Sequence, residues 1–224
     1  MDLADGREFV RNFSTPSEQA AANEVLLVCG ASTLPGLSSV VVSESLKGFS
    51  KIASVEISIA PAQQTPRGIG TMAAVLSYCG KPFNVFIENR WRRRYGWQDI
   101  KGIRYHDLGV RWAAACDVPD LDLFPLNLES LETVTFHAAL EAQWEQLALW
   151  VMAATVRLGL VRDWSRYAGR FQKLSRKLLS LVPGLPGNIC LLWSSEYPLN
   201  IKCLRQSRGD SRYTKHKIAT LRSQ

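Results

Sequence analysis

Five apolar residues in a row, Val25-Leu26-Leu27-Val28-Cys29, run into Gly30, and a short loop then leads to a helix-forming stretch that starts at Gly36. An apolar run without polar alternation is what a strand buried on both faces of a parallel sheet requires. Strand, tight loop and helix in succession form the unit from which open α/β sheets are built. Such sheets bind their ligands at the loop leaving the strand's carboxyl end. The chain is therefore expected to be α/β, with the loop 31–35 as the first place where chemistry should be sought.

The flanking segments fit that plan. Thr15-Pro16-Ser17-Glu18 joins a capping box to a Pro at the first helical position and predicts a helix over 16–22. The helix over 36–47 should close at Gly48 as its left-handed cap. Val55, Ile57 and Ile59 alternate with Ser54, Glu56 and Ser58, which predicts a strand with one buried and one wet or mixed face. A polar loop over 61–66 precedes a small-residue helix over 68–78 that ends at Gly80. Residues 83–87 and 90–95 flank Glu88-Asn89, a two-residue hairpin turn because Asn tolerates positive φ. Further strands are expected over 111–116 and 133–137, joined through Pro119 and Pro125.

Two helices should follow. Over 138–158, Leu140, Trp144, Leu147, Val151, Ala154 and Leu158 share a face and Trp150 and Met152 widen it, so this helix is expected to be mostly buried. Over 164–182, Trp164, Tyr167, Phe171, Leu174, Leu178 and Leu181 form one stripe and Arg166, Arg170, Lys173 and Lys177 the opposite one, until Pro183-Gly184 ends the helix.

Charge has to be read by region. The formal net charge is +7, yet residues 1–156 hold 13 Lys and Arg against 17 Asp and Glu, and residues 157–224 hold 14 against 3. The body is mildly acidic and the basicity belongs to the last third, so the whole-chain value is no nucleic-acid signature. Arg90, Arg92, Arg93 and Arg94 beside Trp91 resemble a basic–aromatic surface, but a strand sends Arg92 and Arg94 one way and Trp91 and Arg93 the other. The basic stripe at 166–177 reads as the solvated face of a packed helix, the alternative being an anionic membrane or nucleic-acid surface. Five scattered cysteines form neither a disulfide framework nor a metal motif and suit a reducing compartment. The acidic start, Met1 to Gly6, lacks the basic and apolar regions of a signal peptide, and the longest apolar run, Leu147 to Val156, falls short of the ~20 residues a spanning helix needs. A cytoplasmic location without a membrane span is expected.

The loop Gly30-Ala31-Ser32-Thr33-Leu34-Pro35-Gly36 is neither a Walker A loop nor G-x-G-x-x-G. It comes near a nucleophile elbow, except that Leu34 stands where the second Gly belongs. Asp117 and His137 follow in the order of a hydrolase triad, so an α/β serine hydrolase using Ser32, Asp117 and His137 is one reading. A plain turn capping the next helix is the other.

Taken together, 2–10, the loop 30–39, Ile59-Ala60-Pro61 with Thr65-Pro66-Arg67-Gly68, Tyr95-Gly96-Trp97-Gln98-Asp99, Cys116-Asp117-Val118-Pro119-Asp120-Leu121 and Phe136-His137-Ala138 occur in an order that resembles the interior of saccharopine dehydrogenase-like NAD(P)-dependent oxidoreductases, over residues 2 to about 182. The resemblance implies the last part of a Rossmann-type sheet over 1–48, a mixed α/β substrate and dimerisation domain over 49–187, and a basic unmatched tail over 188–224. It implies NAD(P)-linked hydride transfer on a C–N or carbonyl bond, a small-molecule substrate and a homodimer. Met1 falls where that family's cofactor domain is nearly complete. The glycine fingerprint is missing, so a truncated member that by itself binds NADP or NAD poorly or not at all is expected.

The same resemblance points to Ser32, Pro35 and Gly36 as cofactor-side residues. His137 would handle the proton, since an imidazole titrating near neutrality can donate or accept one; a hydrogen-bonded core histidine is the bland reading. Arg67, on a loop, could clamp a substrate carboxylate in bidentate fashion or simply be exposed, and Asp5 is a weaker substrate-side candidate. The alternative to both enzyme readings is a basic interaction protein that binds nucleic acid or an anionic membrane through its C-terminal third.

Overall fold

A computed structural model describes residues 6–13, 17–46, 51–61, 68–105, 109–179 and 199–204. The other elements are arranged around strand β6 (Thr133–Ala139). One edge of β6 pairs in parallel with β1 (Lys51–Ile59), from Ser54 opposite Thr133 to Ile59 opposite Ala138. Its other edge is shared. β2 (Pro82–Ile87) meets it where Phe86 faces Val134, and β5 (Gly109–Ala115) meets it from His137 to Ala139. β3 (Arg90–Tyr95) extends the sheet beyond β2, β4 (Lys101–Tyr105) extends it beyond β5, and β7 (Leu199–Leu204) runs antiparallel to β1. The sheet is thus seven-stranded and mixed, with β1–β6 its one parallel strand pair among the described residues. β7 lies within 188–224, the stretch that the resemblance leaves unmatched, and its backbone reaches the far edge of the sheet.

The helices are α1 (Arg7–Asn12), α2 (Ser17–Ala22), α3 (Ser38–Leu46), α4 (Ile69–Ser77), α5 (Asp120–Asn127), α6 (Gln143–Arg157) and α7 (Ala168–Leu179). Alternation decides what they cover. Val55 and Ile57 of β1 and Val134 and Phe136 of β6 join Leu121 and Phe124 of α5 and Ala153 of α6 in the main core. The intervening residues Ser54, Glu56, Ser58, Thr135 and His137 point to the reverse face, where Ala60, Tyr105, Ala113 and Ala139 form a smaller cluster. Glu88 and Asn89 turn the β2–β3 hairpin at φ 53 and 62, the left-handed pair that a two-residue turn demands. Two glycines then let backbone meet backbone. A Cβ at Gly96 would lie 2.1 Å from the carbonyl oxygen of Tyr78, and one at Gly80 would lie 2.3 Å from that of Ala153 in α6.

The mixed α/β expectation is met, and four local expectations are corrected. Residues 25–31 form no strand: Val25, Leu26 and Leu27 are exposed, Leu26 by 84%, and the Val25 amide bonds back to the Ala20 carbonyl at 2.9 Å. An apolar run becomes a strand only when a neighbouring edge accepts its hydrogen bonds, and none does so among the described residues. The strand over 133–137 continues to Ala139, because pairing with Ile59 and Ala113 outweighs the helix propensity of two alanines; the helix begins only at Gln143. That helix is not mostly buried, since Trp144, Leu147, Trp150, Val151 and Leu158 are all exposed. β1 is buried on both faces through much of its length, Ser54 and Ser58 included. Among the described residues no helix is long and apolar enough to cross a membrane.

Candidate functional site

The sheet supplies one wall of a cavity of about 1060 Å³, and α1, α4, α6 and α7 supply the others. Ile59 and Pro61 at the end of β1 and Ala138 and Leu140 at the end of β6 all line it, so it sits at the carboxyl ends of the parallel pair, where open α/β sheets take ligands. Phe83, Trp97, Phe136, Trp144, Met152 and Phe171 make the lining largely apolar. Trp97 reaches it with φ +60, uncommon for a bulky residue, and is held there by its amide on the Ala115 carbonyl (2.8 Å) and its indole N–H on the Val75 carbonyl (3.1 Å).

The loop singled out from sequence borders this space. Ser32, Thr33 and Leu34 line it, whereas Pro35 is buried behind them and Gly36 does not face it. A Cβ at Gly36 would lie 2.9 Å from the Gly30 carbonyl oxygen, and one at Gly30, where φ is +65, would lie 2.7 Å from Pro35 Cδ. The glycines therefore let the loop close on itself. Ser32 makes no side-chain cap to the following turn.

Polar groups are anchored at two points. Arg7 of α1 is buried. Its Nε donates to Asp122 Oδ2 (2.8 Å) and its Nη2 to Asp122 Oδ1, while Nη1 donates to the Asn84 carbonyl (2.9 Å) and to Asp117 Oδ1 (2.7 Å). Arg11 adds a 2.5 Å contact to Asp122. Arg7 and Arg11 hold Asp122 below the ordinary carboxylate range, whereas burial outweighs Arg7 at Asp117 and pushes that carboxyl up. Behind the loop, Asp120 is fully buried against Ser38, whose hydroxyl also donates to the Pro35 carbonyl at 3.0 Å. One hydroxyl proton cannot serve both acceptors at once, so Ser38 is shared between Asp120 and the Pro35 carbonyl. Burial pushes Asp120 up to about 6 against the Ser38 hydrogen bond, which lowers it, and its Oδ2 has no hydrogen-bond partner among the described residues.

His137 stands elsewhere. It belongs to the reverse face of β6, does not line the cavity, and is buried. Desolvation, with Lys101 and Arg94 adding repulsion, lowers its imidazole to about 3, so it stays neutral near pH 7. Strand alternation turns the expected proton handler away from Phe136 and Ala138, so it does not face this cavity. Ser32 and Asp117 share the cavity; the triad's third member is not brought to them. Arg67 and Asp5 lie outside the described residues. Burial pushes Cys79 and Cys116 up to about 12, which leaves them unreactive. Among the described residues no group of His, Cys, Asp and Glu could hold a metal ion.

Sequence reasoning passed over Arg7, Trp97 and Asp120, although each lies inside a stretch quoted for the resemblance. An arginine carries no signal until its partners, 110 and 115 residues away, are seen beside it. No protein-family model and no curated protein matches this chain.

Proposed function

We propose that the chain is the substrate-binding and dimerisation part of a saccharopine dehydrogenase-like oxidoreductase, a piece that grips a small, largely apolar reactant whose C–N or carbonyl bond undergoes NAD(P)-linked hydride transfer. The observation that carries this reading is the cavity at the carboxyl ends of β1 and β6, bordered by Ser32, Thr33 and Leu34. The cofactor, when bound, supplies the hydride; this chain's cavity residues orient the reactant and exclude water from it. Within the proposal, residues up to 48 are the last part of a Rossmann-type unit and the nucleotide is gripped chiefly by other residues. The serine hydrolase reading has less support, because His137 does not line the cavity that holds Ser32 and Asp117. Exposed Val25, Leu26 and Leu27 support the dimer.

Trp97 and Trp144 line the cavity and make it self-reporting. Titration with small apolar carbonyl and amine compounds should change tryptophan fluorescence saturably, while calorimetric titration with NADPH or NADH should show no micromolar binding. Micromolar cofactor affinity, or no compound bound at all, would overturn the reading. Light scattering should give a dimer; a clean monomer would remove that part of it.

A further inference from the structure

The cavity's polar groups are unequal in what they have left to offer a ligand. Arg7 directs four N–H donors at Asp122, Asp117 and the Asn84 carbonyl, so it is fixed from both sides and cannot turn toward an anion. Lys81, the other cation lining the space, donates to Asp163 at 2.9 Å. Asp117 differs. Its Oδ1 accepts from Arg7, its Oδ2 takes no hydrogen bond among the described residues, and its side chain keeps 25% of its exposure on a cavity wall. Arg7, itself tied down, holds this carboxylate in one orientation. An ionised carboxylate is an acceptor only. Aromatic walls such as Trp97 and Phe83 add attraction for a cation and none for an anion.

We infer that Asp117 is the ligand-anchoring group of the cavity and that the ligand it selects is an apolar molecule bearing a protonated amine, whose N–H donates to the free carboxylate oxygen. This rests on the proposed reading of the cavity as a reactant site and specifies what the reactant carries. The partly dry setting that pushes the Asp117 carboxyl up also strengthens the bond: water screens it little, and a cation beside it restores solvation lost on burial.

A head-group series tests it on the full chain. 4-Phenylbutylamine, 4-phenylbutan-1-ol and 4-phenylbutanoate share a tail and differ only in the group that would meet Asp117. By tryptophan fluorescence at pH 7.5 the amine should bind at least about tenfold more tightly than the carboxylate, with the alcohol between them, as a charge-assisted bond predicts. Asp117→Asn, which keeps an acceptor for Arg7, should bring amine and carboxylate within about twofold of each other. Carboxylate binding equal to or tighter than amine binding, or a preference that survives D117N, would overturn the inference. The wild-type series decides the matter even if the variant does not fold. Binding of the alcohol with no amine preference sinks this inference alone; binding of none of the three sinks the cavity reading with it.

Discussion

Neighbouring residues of β6 lead two different lives. Val134, Phe136 and Ala138 face the helices and the cavity, in surroundings that are largely apolar with a few charged groups. Thr135 and His137, one step away on the same strand, face a side that carries Glu56, Ser58, Lys101, Tyr105 and Arg111. Both sides carry titratable groups, yet the cavity lies on one of them only. Burial accounts for the difference. On the reverse face it silences a base by keeping His137 neutral. On the cavity side it leaves one carboxylate oxygen of Asp117 without a hydrogen bond among the described residues, on the wall of a space large enough for a ligand.

The largest effect that would sharpen this contrast comes from Phe136→Ala. It opens a void between core and cavity wall and should cost about 3–5 kcal/mol in urea unfolding. A loss below about 1 kcal/mol would show that the cavity side is not packed as described.

Next in size are two opposed titrations, one on each side. The folded protein keeps His137 neutral down to about 3, whereas the unfolded chain protonates it below about 6.5, so acidification through that window favours unfolding. Asp120 works the other way. The folded protein binds its proton near pH 6 and the unfolded chain only near 3.8, so acidification through that window favours folding. At about 1.4 kcal/mol per tenfold change in proton affinity, the His137 and Asp120 shifts are worth on the order of 5 and 3 kcal/mol in full, and roughly 2–3 kcal/mol each between pH 6 and 4, so over that range they largely offset one another in the wild type. His137→Gln should therefore gain stability on acidification over that range and Asp120→Asn should lose it. Parallel profiles for the two variants would break the comparison.

The smallest effect belongs to Thr135, whose buried hydroxyl has no partner among the described residues. Thr135→Val keeps the shape and removes an unsatisfied polar atom, so the unfolding midpoint should stay level or rise by up to about 1 kcal/mol. A clear loss would reveal a bond on the reverse face that the described residues do not contain.

Features set by short-range rules were legible in the sequence. Glu88-Asn89 turns the hairpin, Gly68 and Gly80 bracket α4, and the alternation in 133–137 marks β6. What depended on partners elsewhere was not. Val25–Cys29 has the composition of a strand and finds no edge, Ala138-Ala139 has helix-forming residues and finds two edges, and α6 is apolar all round yet covered on one side only. The site divides the same way. Ser32 could be placed at the cavity from its loop, whereas the tether that orients Asp117 comes from Arg7, more than a hundred positions earlier.

The contacts at Gly80 and Gly96 have a lasting consequence. At Gly80 main-chain atoms, which every sequence shares, fix the gap between α6 and the base of the β2–β3 hairpin, and at Gly96 they fix the gap between that base and Tyr78 at the end of α4. Side chains that dress the hollow between them can then be exchanged one at a time, and the distance between its walls will not follow. Such a frame confines its intolerance to two positions where nothing larger than a hydrogen atom is admitted.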